Sequence, residues 1–305
     1  MADTNGAGTL RPLAGARRVV VKLGTALLTG AVDQLDLPTM QDLVGQVVAL
    51  RERGVEVVVV TSGAVAAGRQ ALEERDSAPD ALPAPRERTP LLRQVLAAVG
   101  QSRLMHVYEQ LFGARGVIVA QALLTRGDVD DEIRRKNTQN TLEELLKLGV
   151  VPVVNENDVV ANDELEGVII GDNDTLSGMV ARMLSADLLI ILGEVAGLYS
   201  ADPNVHPDVE LIPEVLDLEA LAADVSGPLS PTARGGMVTK IQAAREITAA
   251  GIDVIIADGH QPDVLARLLA GEPLGTWFSA QRAEEATPFD QAQDRLRQAQ
   301  GERLV

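Results

Sequence analysis

The chain has 305 residues, 46% of them hydrophobic and only 2% aromatic, with a formal net charge of −17. That length suits one large α/β domain or two smaller ones, with a core of Val, Leu, Ile and Ala. So acidic a chain, with so few aromatic platforms, argues against a nucleic-acid or anionic-membrane binder, and the lack of any cysteine excludes disulfides, thiolate metal sites and cysteine nucleophiles.

The histidines, His106, His206 and His260, are far apart and show no metal-ligand spacing. No apolar run approaches the ~20 residues of a membrane helix. Met1 to Pro12 lacks the apolar core of a signal peptide, so the chain reads as cytoplasmic. From the N-terminus, Arg17 to Leu23 (RRVVVKL) reads as a buried strand. Met40, Leu43, Val44, Val47 and Val48 follow helical spacing, and Gly54 stops that helix. Val55 to Thr61 is a second buried strand, and Thr61-Ser62-Gly63 opens the small-residue segment Ala64 to Arg69. The four prolines of Ser77 to Pro90 mark a loop, and a helix follows from Leu91 towards Phe112.

Val117 to Leu124 and Val150 to Val154 are the next strands, separated by a helix ending near Leu148. Pro152 removes a ladder donor, which places it at a bulge or an edge-facing position. Leu176, Met179, Val180, Met183 and Leu184 form a helical stripe that Asn173 or Asp172 can cap. Leu188 to Leu192 is a strand, Gly227 to Gly236 a Pro/Gly-rich loop, and a helix begins near Met237. Ile252 to Ala257, Asp263 to Ala270 and Gly275 to Ser279 read as strand, helix and short last strand. Residues 1–16 form a polar N-terminal segment, 17–280 one domain, and 281–305 a polar tail. The steady alternation predicts an α/β fold, a three-layer αβα sandwich with a mostly parallel sheet covered on both faces. Ligands in such sheets bind beyond the carboxyl ends of the strands. That rule selects Lys22–Thr25, Thr61–Gly63, Asn155–Asp158 and Gly193–Glu194.

Each selected loop has a chemical reading and a bland one. Lys22, before Gly24, suits phosphate contact, or it snorkels out at the strand end. Thr61-Ser62-Gly63 suits an anion at a helix start, or is an ordinary turn with a Ser cap. Asn155-Glu156-Asn157-Asp158 and Gly171-Asp172-Asn173-Asp174 can bind an ammonium, hold a metal or position lysines, or they are solvated loops with caps. Gly235-Gly236-Met237-Val238-Thr239-Lys240 can bind phosphate, or is a flexible turn with a surface lysine. It is not a Walker A loop. As a set, two lysines, glycine turns and an acid/amide cluster suit phosphoryl transfer, where the protein positions reactants and neutralises spreading charge. A carboxylate acceptor, with a pKa of ~4.3, is already ionised and needs no general base.

The stretches VVVKLGT (19–25), VVVTSGAVAAGR (58–69), QVLAAVGQSRL (94–104), VPVVNENDVV (151–160), GDNDTLSGMVA (171–181), GLYSADP (197–203), GGMVTKIQAA (235–244) and AGIDVIIADG (250–259) resemble the amino acid kinase superfamily, and within it the glutamate 5-kinases. The resemblance implies the amino acid kinase fold over residues 17–280, without the C-terminal PUA domain that many bacterial members carry. It implies phosphorylation of the γ-carboxylate of L-glutamate by ATP with Mg2+, the first step of proline biosynthesis. Under it, Lys22, Lys240 and Asp174 are catalytic. Ser62, Asn155, Asp158, Asp172 and Asn173 bind glutamate. Lys22, Gly24, Thr25, Gly63, Gly193, Glu194, Gly235, Gly236, Met237 and Lys240 bind ATP, and the metal ligands stay unassigned. It further implies proline as feedback inhibitor, glutamate-5-semialdehyde dehydrogenase as partner and a homo-oligomer. The chain departs from the family where Gly193-Glu194 replaces a Ser/Thr-Asp pair and Ala233-Arg234 a Gly-Thr pair, and the loop between NEND and GDND is slightly long. Another kinase of the superfamily, or a catalytically silent glutamate or proline sensor, are the alternatives.

Overall fold

Runs of β-branched residues form the centre of the molecule, because their stiff side chains pack on a pleated surface. The structure, a computed structural model, describes residues 13, 15–29, 34–74, 89–161, 173–201, 206, 208–216, 218 and 237–281. Its strands are β1 (Arg18–Leu23), β2 (Glu56–Val60), β3 (Val119–Leu124), β4 (Val151–Glu156), β5 (Leu188–Gly193), β6 (Glu214–Val215), β7 (Asp253–Asp258) and β8 (Thr276–Phe278). They make one eight-stranded sheet in the order β3-β4-β2-β1-β5-β7-β8-β6. All neighbours are parallel except β7 and β8.

Helices cover both faces. They are α1 (Thr25–Thr29), α2 (Leu37–Glu52), α3 (Ala64–Glu73), α4 (Pro90–Gly113), α5 (Arg126–Asp130), α6 (Glu132–Lys147), α7 (Asn173–Met183), α8 (Met237–Thr248) and α9 (Val264–Leu269). The pleat divides the core in two. Val19, Val21 and Leu23 of β1 join the buried cluster with residues of α2, α4 and α9. Val20 joins the opposite cluster with residues of α6, α7 and α8. Lys22 shares the parity of Val20, so it leaves β1 on the α7–α8 side.

Every run read as a strand forms one, and two local expectations change. Pro152 lies in an interior strand without a bulge. The ladder between β2 and β4 comprises only Val59–Val153 and Val60–Val154, so it stops short of Pro152 and no donor is missed there. Pro90 is helix rather than loop: it is the first residue of α4, where a missing N–H costs nothing, and the Thr89 side chain accepts from the Leu92 N–H at 3.2 Å. Of the two cap candidates for α7, Asn173 is the first described residue of the helix and its amide nitrogen donates to Thr61 O, while Asp172 lies outside the described residues. The polar run after β4, the loop from Gly227 to Gly236 and the C-terminal tail beyond Gln281 lie wholly or mostly outside the described residues. Among the described residues no helix is long and apolar enough to cross a membrane.

Candidate active site

Three charged side chains from three elements meet at the carboxyl end of β1. Lys22 Nζ lies 2.6 Å from Asp174 Oδ1, and Lys240 Nζ lies 2.8 Å from Asp174 Oδ2. Lys22 is the penultimate residue of β1, Asp174 stands in the first turn of α7, and Lys240 stands one turn into α8. Lys22 is 3% exposed and Asp174 fully buried. Neither lysine is a snorkelling or surface residue, since each is drawn inward by the same carboxylate. Burial alone would raise the Asp174 carboxyl. The two ammoniums outweigh it and hold the group below the ordinary carboxylate range. Two cationic side chains thus stand side by side on one carboxylate, chemistry suited to an anionic group.

Glycines run beside both lysines. A Cβ at Gly24 would stand 3.7 Å from Lys22 Nζ, and one at Gly193 would stand 4.0 Å from Lys240 Cε. Their absence keeps the flanks of both lysines bare. The Gly24 N–H itself is spent on Leu192 O at 3.0 Å, so Gly24 contributes clearance rather than a donor. Thr25 is exposed at the start of α1, Glu194 is exposed past β5, and Met237 packs half-buried against the α7–α8 core cluster. Asp172, Gly235, Gly236 and Arg234 lie outside the described residues.

A chain of amides crosses the rim of the sheet beside the charged cluster. Asn173 Nδ2 donates to Thr61 O at 2.8 Å, to Ser62 Oγ at 2.9 Å and to Asn155 Oδ1 at 3.1 Å. Asn155 Nδ2 donates to Gln101 Oε1 at 2.8 Å. Odd residues of β4 face α4 and even ones face α7, so Asn155 reaches Gln101 while Asn173 comes over from the opposite layer. Ser62 is therefore not a cap. The cap of α3 is Gly63, at φ +99°, with no side-chain hydrogen bond, a conformation glycine adopts without strain. Asp158 sits in the turn after β4 and, with Glu156, Asn157 and Gln101, lines a cavity of about 310 Å³.

The structure thus brings together Lys22, Lys240, Asp174, Gly24 and Gly193, and, next to them, Ser62, Asn155 and Asn173. Three supporting residues were missed. Thr239 Oγ1 donates to Asp174 Oδ2 at 3.3 Å. Tyr108 OH lies 2.6 Å from Thr61 Oγ1, which donates to Ser62 O, so the tyrosine steadies the Ser62 turn, and burial pushes its phenol above the usual range. Gln101 ends the amide chain. One signal for it was available. Gly68 and Gly100 interrupt helical patterns, and a mid-helix glycine often marks close packing. Here a Cβ on Gly100 would stand 1.8 Å from Ala64 O, and one on Gly68 1.9 Å from Leu96 O, so α4 presses on the start of α3 beside Ser62.

Residues 17–258 match the Amino acid kinase family. Among curated relatives, "Glutamate 5-kinase" of Dehalococcoides mccartyi (strain ATCC BAA-2266 / KCTC 15142 / 195) is 50% identical over 266 residues, which cover 86% of this chain and 68% of that protein. "Glutamate 5-kinase" of Symbiobacterium thermophilum is 46% identical over 265 residues, 86% of this chain and 96% of the relative. A solved UMP kinase from Bacillus anthracis superposes with a TM-score of 0.59 at 14% identity, covering 88% of this chain and 97% of its own. That likeness speaks for the fold alone.

Proposed function

This chain belongs to the amino acid kinase family, among its glutamate 5-kinases, and from that membership we propose that it transfers the γ-phosphoryl group of ATP to the side-chain carboxylate of L-glutamate. The product is γ-glutamyl phosphate, and the step is the first of proline biosynthesis. The observation that carries the reading is the buried Lys22–Asp174–Lys240 cluster at the strand ends.

A glutamate γ-oxygen attacks the γ-phosphorus. The new O–P bond forms as the bond to the β,γ-bridging oxygen breaks, and ADP leaves with that electron pair. No proton moves, because the acceptor carboxylate, with a pKa of ~4.3, is already ionised. Charge spreads over the transferred oxygens in a loose transition state. Lys22 and Lys240 meet that charge, and Asp174 holds both ammoniums in place before the reactants arrive, so little reorganisation is needed. Gly24 and Gly193, with Thr25, Gly63, Glu194, Gly235, Gly236 and Met237, belong to the nucleotide side. Ser62, Asn155, Asn173, Asp158 and Asp172 belong to the glutamate side, where Asp158 suits the cationic amino group.

Magnesium would arrive with the nucleotide. Among the described residues no group of three or more His, Asp or Glu gathers as a metal site, which fits an ion held by phosphates, waters and one or two carboxylates. Its chemistry there is to neutralise phosphate charge. Proline, sharing the amino and carboxylate groups of glutamate, fits the same acceptor contacts as an inhibitor. A cytoplasmic setting, a homo-oligomeric state and an association with glutamate-5-semialdehyde dehydrogenase, which would receive an acyl phosphate that water destroys, complete the proposal. A hydroxamate assay with glutamate, ATP and magnesium tests the reaction, since hydroxylamine traps an acyl phosphate. No hydroxamate from folded protein would refute it.

A further inference from the structure

We propose that Gln101 is a specificity-determining residue of the acceptor site, its side-chain amide donating to the α-carboxylate of the amino acid that is phosphorylated. The inference rests on the glutamate kinase reading above and deepens it.

The polarity of the amide chain is fixed at one end by the backbone. Thr61 O can only accept, so the Asn173 atom 2.8 Å from it is the nitrogen. That nitrogen also meets Asn155, which must present Oδ1 to it. Asn155 then presents Nδ2 to Gln101, which must present Oε1. Two amide atoms of the chain remain buried and without a hydrogen-bond partner among the described residues, the acceptor Asn173 Oδ1 and, at the far end, the donor Gln101 Nε2. Turning any one amide over would set donor against donor or acceptor against acceptor, so the leftover donor is not an arbitrary assignment. A buried donor left unsatisfied is rare and costly in native proteins, and a ligand oxygen is the natural partner.

The surroundings say which oxygen. Gln101 lines the cavity of about 310 Å³ together with Glu156, Asn157 and Asp158. The two acids suit the α-ammonium, and the α-carboxylate hangs from the same carbon, so it must find a donor in the same cavity. Among the described residues no Lys or Arg lines it, which leaves the role to neutral donors. The γ-carboxylate points away from this cavity, toward the γ-phosphorus it attacks. Gln101 cannot draw back, because the neighbouring Gly100 is packed against Ala64 O.

The test compares the wild type with Gln101→Ala and Gln101→Glu, using glutamate and its α-carboxamide in the hydroxamate assay. Gln101→Glu keeps an acceptor for Asn155 but sets a carboxylate against the substrate's own. Gln101→Ala should raise KM for glutamate about tenfold or more, the weight of a hydrogen bond to a charged group. Its kcat and its KM for ATP should stay within about twofold. Gln101→Glu should raise KM for glutamate further still. Both variants should lose about tenfold or more of the preference for glutamate over the α-amide, a ratio that a purely structural role would not move. A near-normal KM for glutamate in Gln101→Glu, or an unchanged preference in both variants, overturns the proposal. Should neither variant fold, equal use of glutamate and the α-amide by the wild type overturns it, and strong rejection of the α-amide supports it. Absence of any turnover of glutamate by the wild type would refute the kinase reading and this inference with it, whereas turnover with unchanged preference refutes the inference alone.

Discussion

At Lys22 a single step along a pleated strand decides between core and chemistry. Val21 faces the α2–α4 layer, and Lys22, one residue on, faces Asp174. If both lysines act on the transition state, Lys22→Ala and Lys240→Ala should each lower kcat by ~100-fold or more, the usual loss of an oxyanion-type donor. KM for glutamate should move only a few-fold, and steady-state kinetics with the hydroxamate readout separate the two effects. Asp174 carries a stability consequence as well. Asp174→Asn leaves two ammoniums crowded around a neutral amide, and breaking a buried ion cluster this way costs ~3–5 kcal/mol. The sign with pH follows from the lowered carboxyl. The ionised form is favoured in the folded state, so its contribution is fully present above the unfolded value of ~3.9 and fades as pH falls through the folded value. Urea titrations should therefore show the gap between wild type and Asp174→Asn at neutral pH and a narrowing gap below about pH 4.

Two helices, α3 and α4, are held closer than side chains would allow, and that contact shapes the proposed acceptor rim. A Cβ on Gly100 would meet Ala64 O, and one on Gly68 would meet Leu96 O, both at under 2 Å. Because the obstacles are backbone, the helices themselves must part. Gly100→Ala gains up to ~1 kcal/mol of helix propensity, but overpacking costs ~1–3 kcal/mol or more. Net destabilisation by thermal melting is expected, with a raised KM for glutamate because Gln101 and the Ser62 turn shift together; a more stable variant with normal KM would contradict this packing account. The same contact shows where sequence reading stops. The strands and the long helices were legible because β-branched runs and helical spacing are local. The pairing of Gly68 with Gly100 was not, because no local pattern states which helices touch. Pro152 was misjudged for a related reason. Its cost depends on whether the partner strand extends past it, and β2 pairs with β4 only from Val153 onward.

Across the whole molecule, the steady β–α order made the parallel sheet readable, and Lys22, Ser62, Asn155 and Gly193 stand at the carboxyl ends of its strands. The lysine cluster was half legible. Its members sit in glycine-flanked loops, but only the fold brings residues 22, 174 and 240 to one point. The amide chain was less so, since its links join residues 112, 111, 18 and 54 positions apart, and each side chain taken alone reads as a cap or a surface amide. Because the proposed acceptor site draws on β4, the start of α3, α4 and α7, it ties both helical layers to the sheet. A ligand bound there opposes global unfolding rather than the opening of one loop. Glutamate at a hundred times its Kd should add about 2.7 kcal/mol, which for a domain of this size is a rise of roughly 5–10 °C in Tm. Asp158→Ala should lose most of that rise while Lys22→Ala keeps it, if, as proposed, the one binds the amino acid and the other serves transfer. Proline should raise Tm on its own, and its effect in saturating glutamate should nearly vanish, because both need the same ammonium and carboxylate contacts. Full additivity of the two shifts by differential scanning calorimetry would instead require a second amino-acid site elsewhere on the chain.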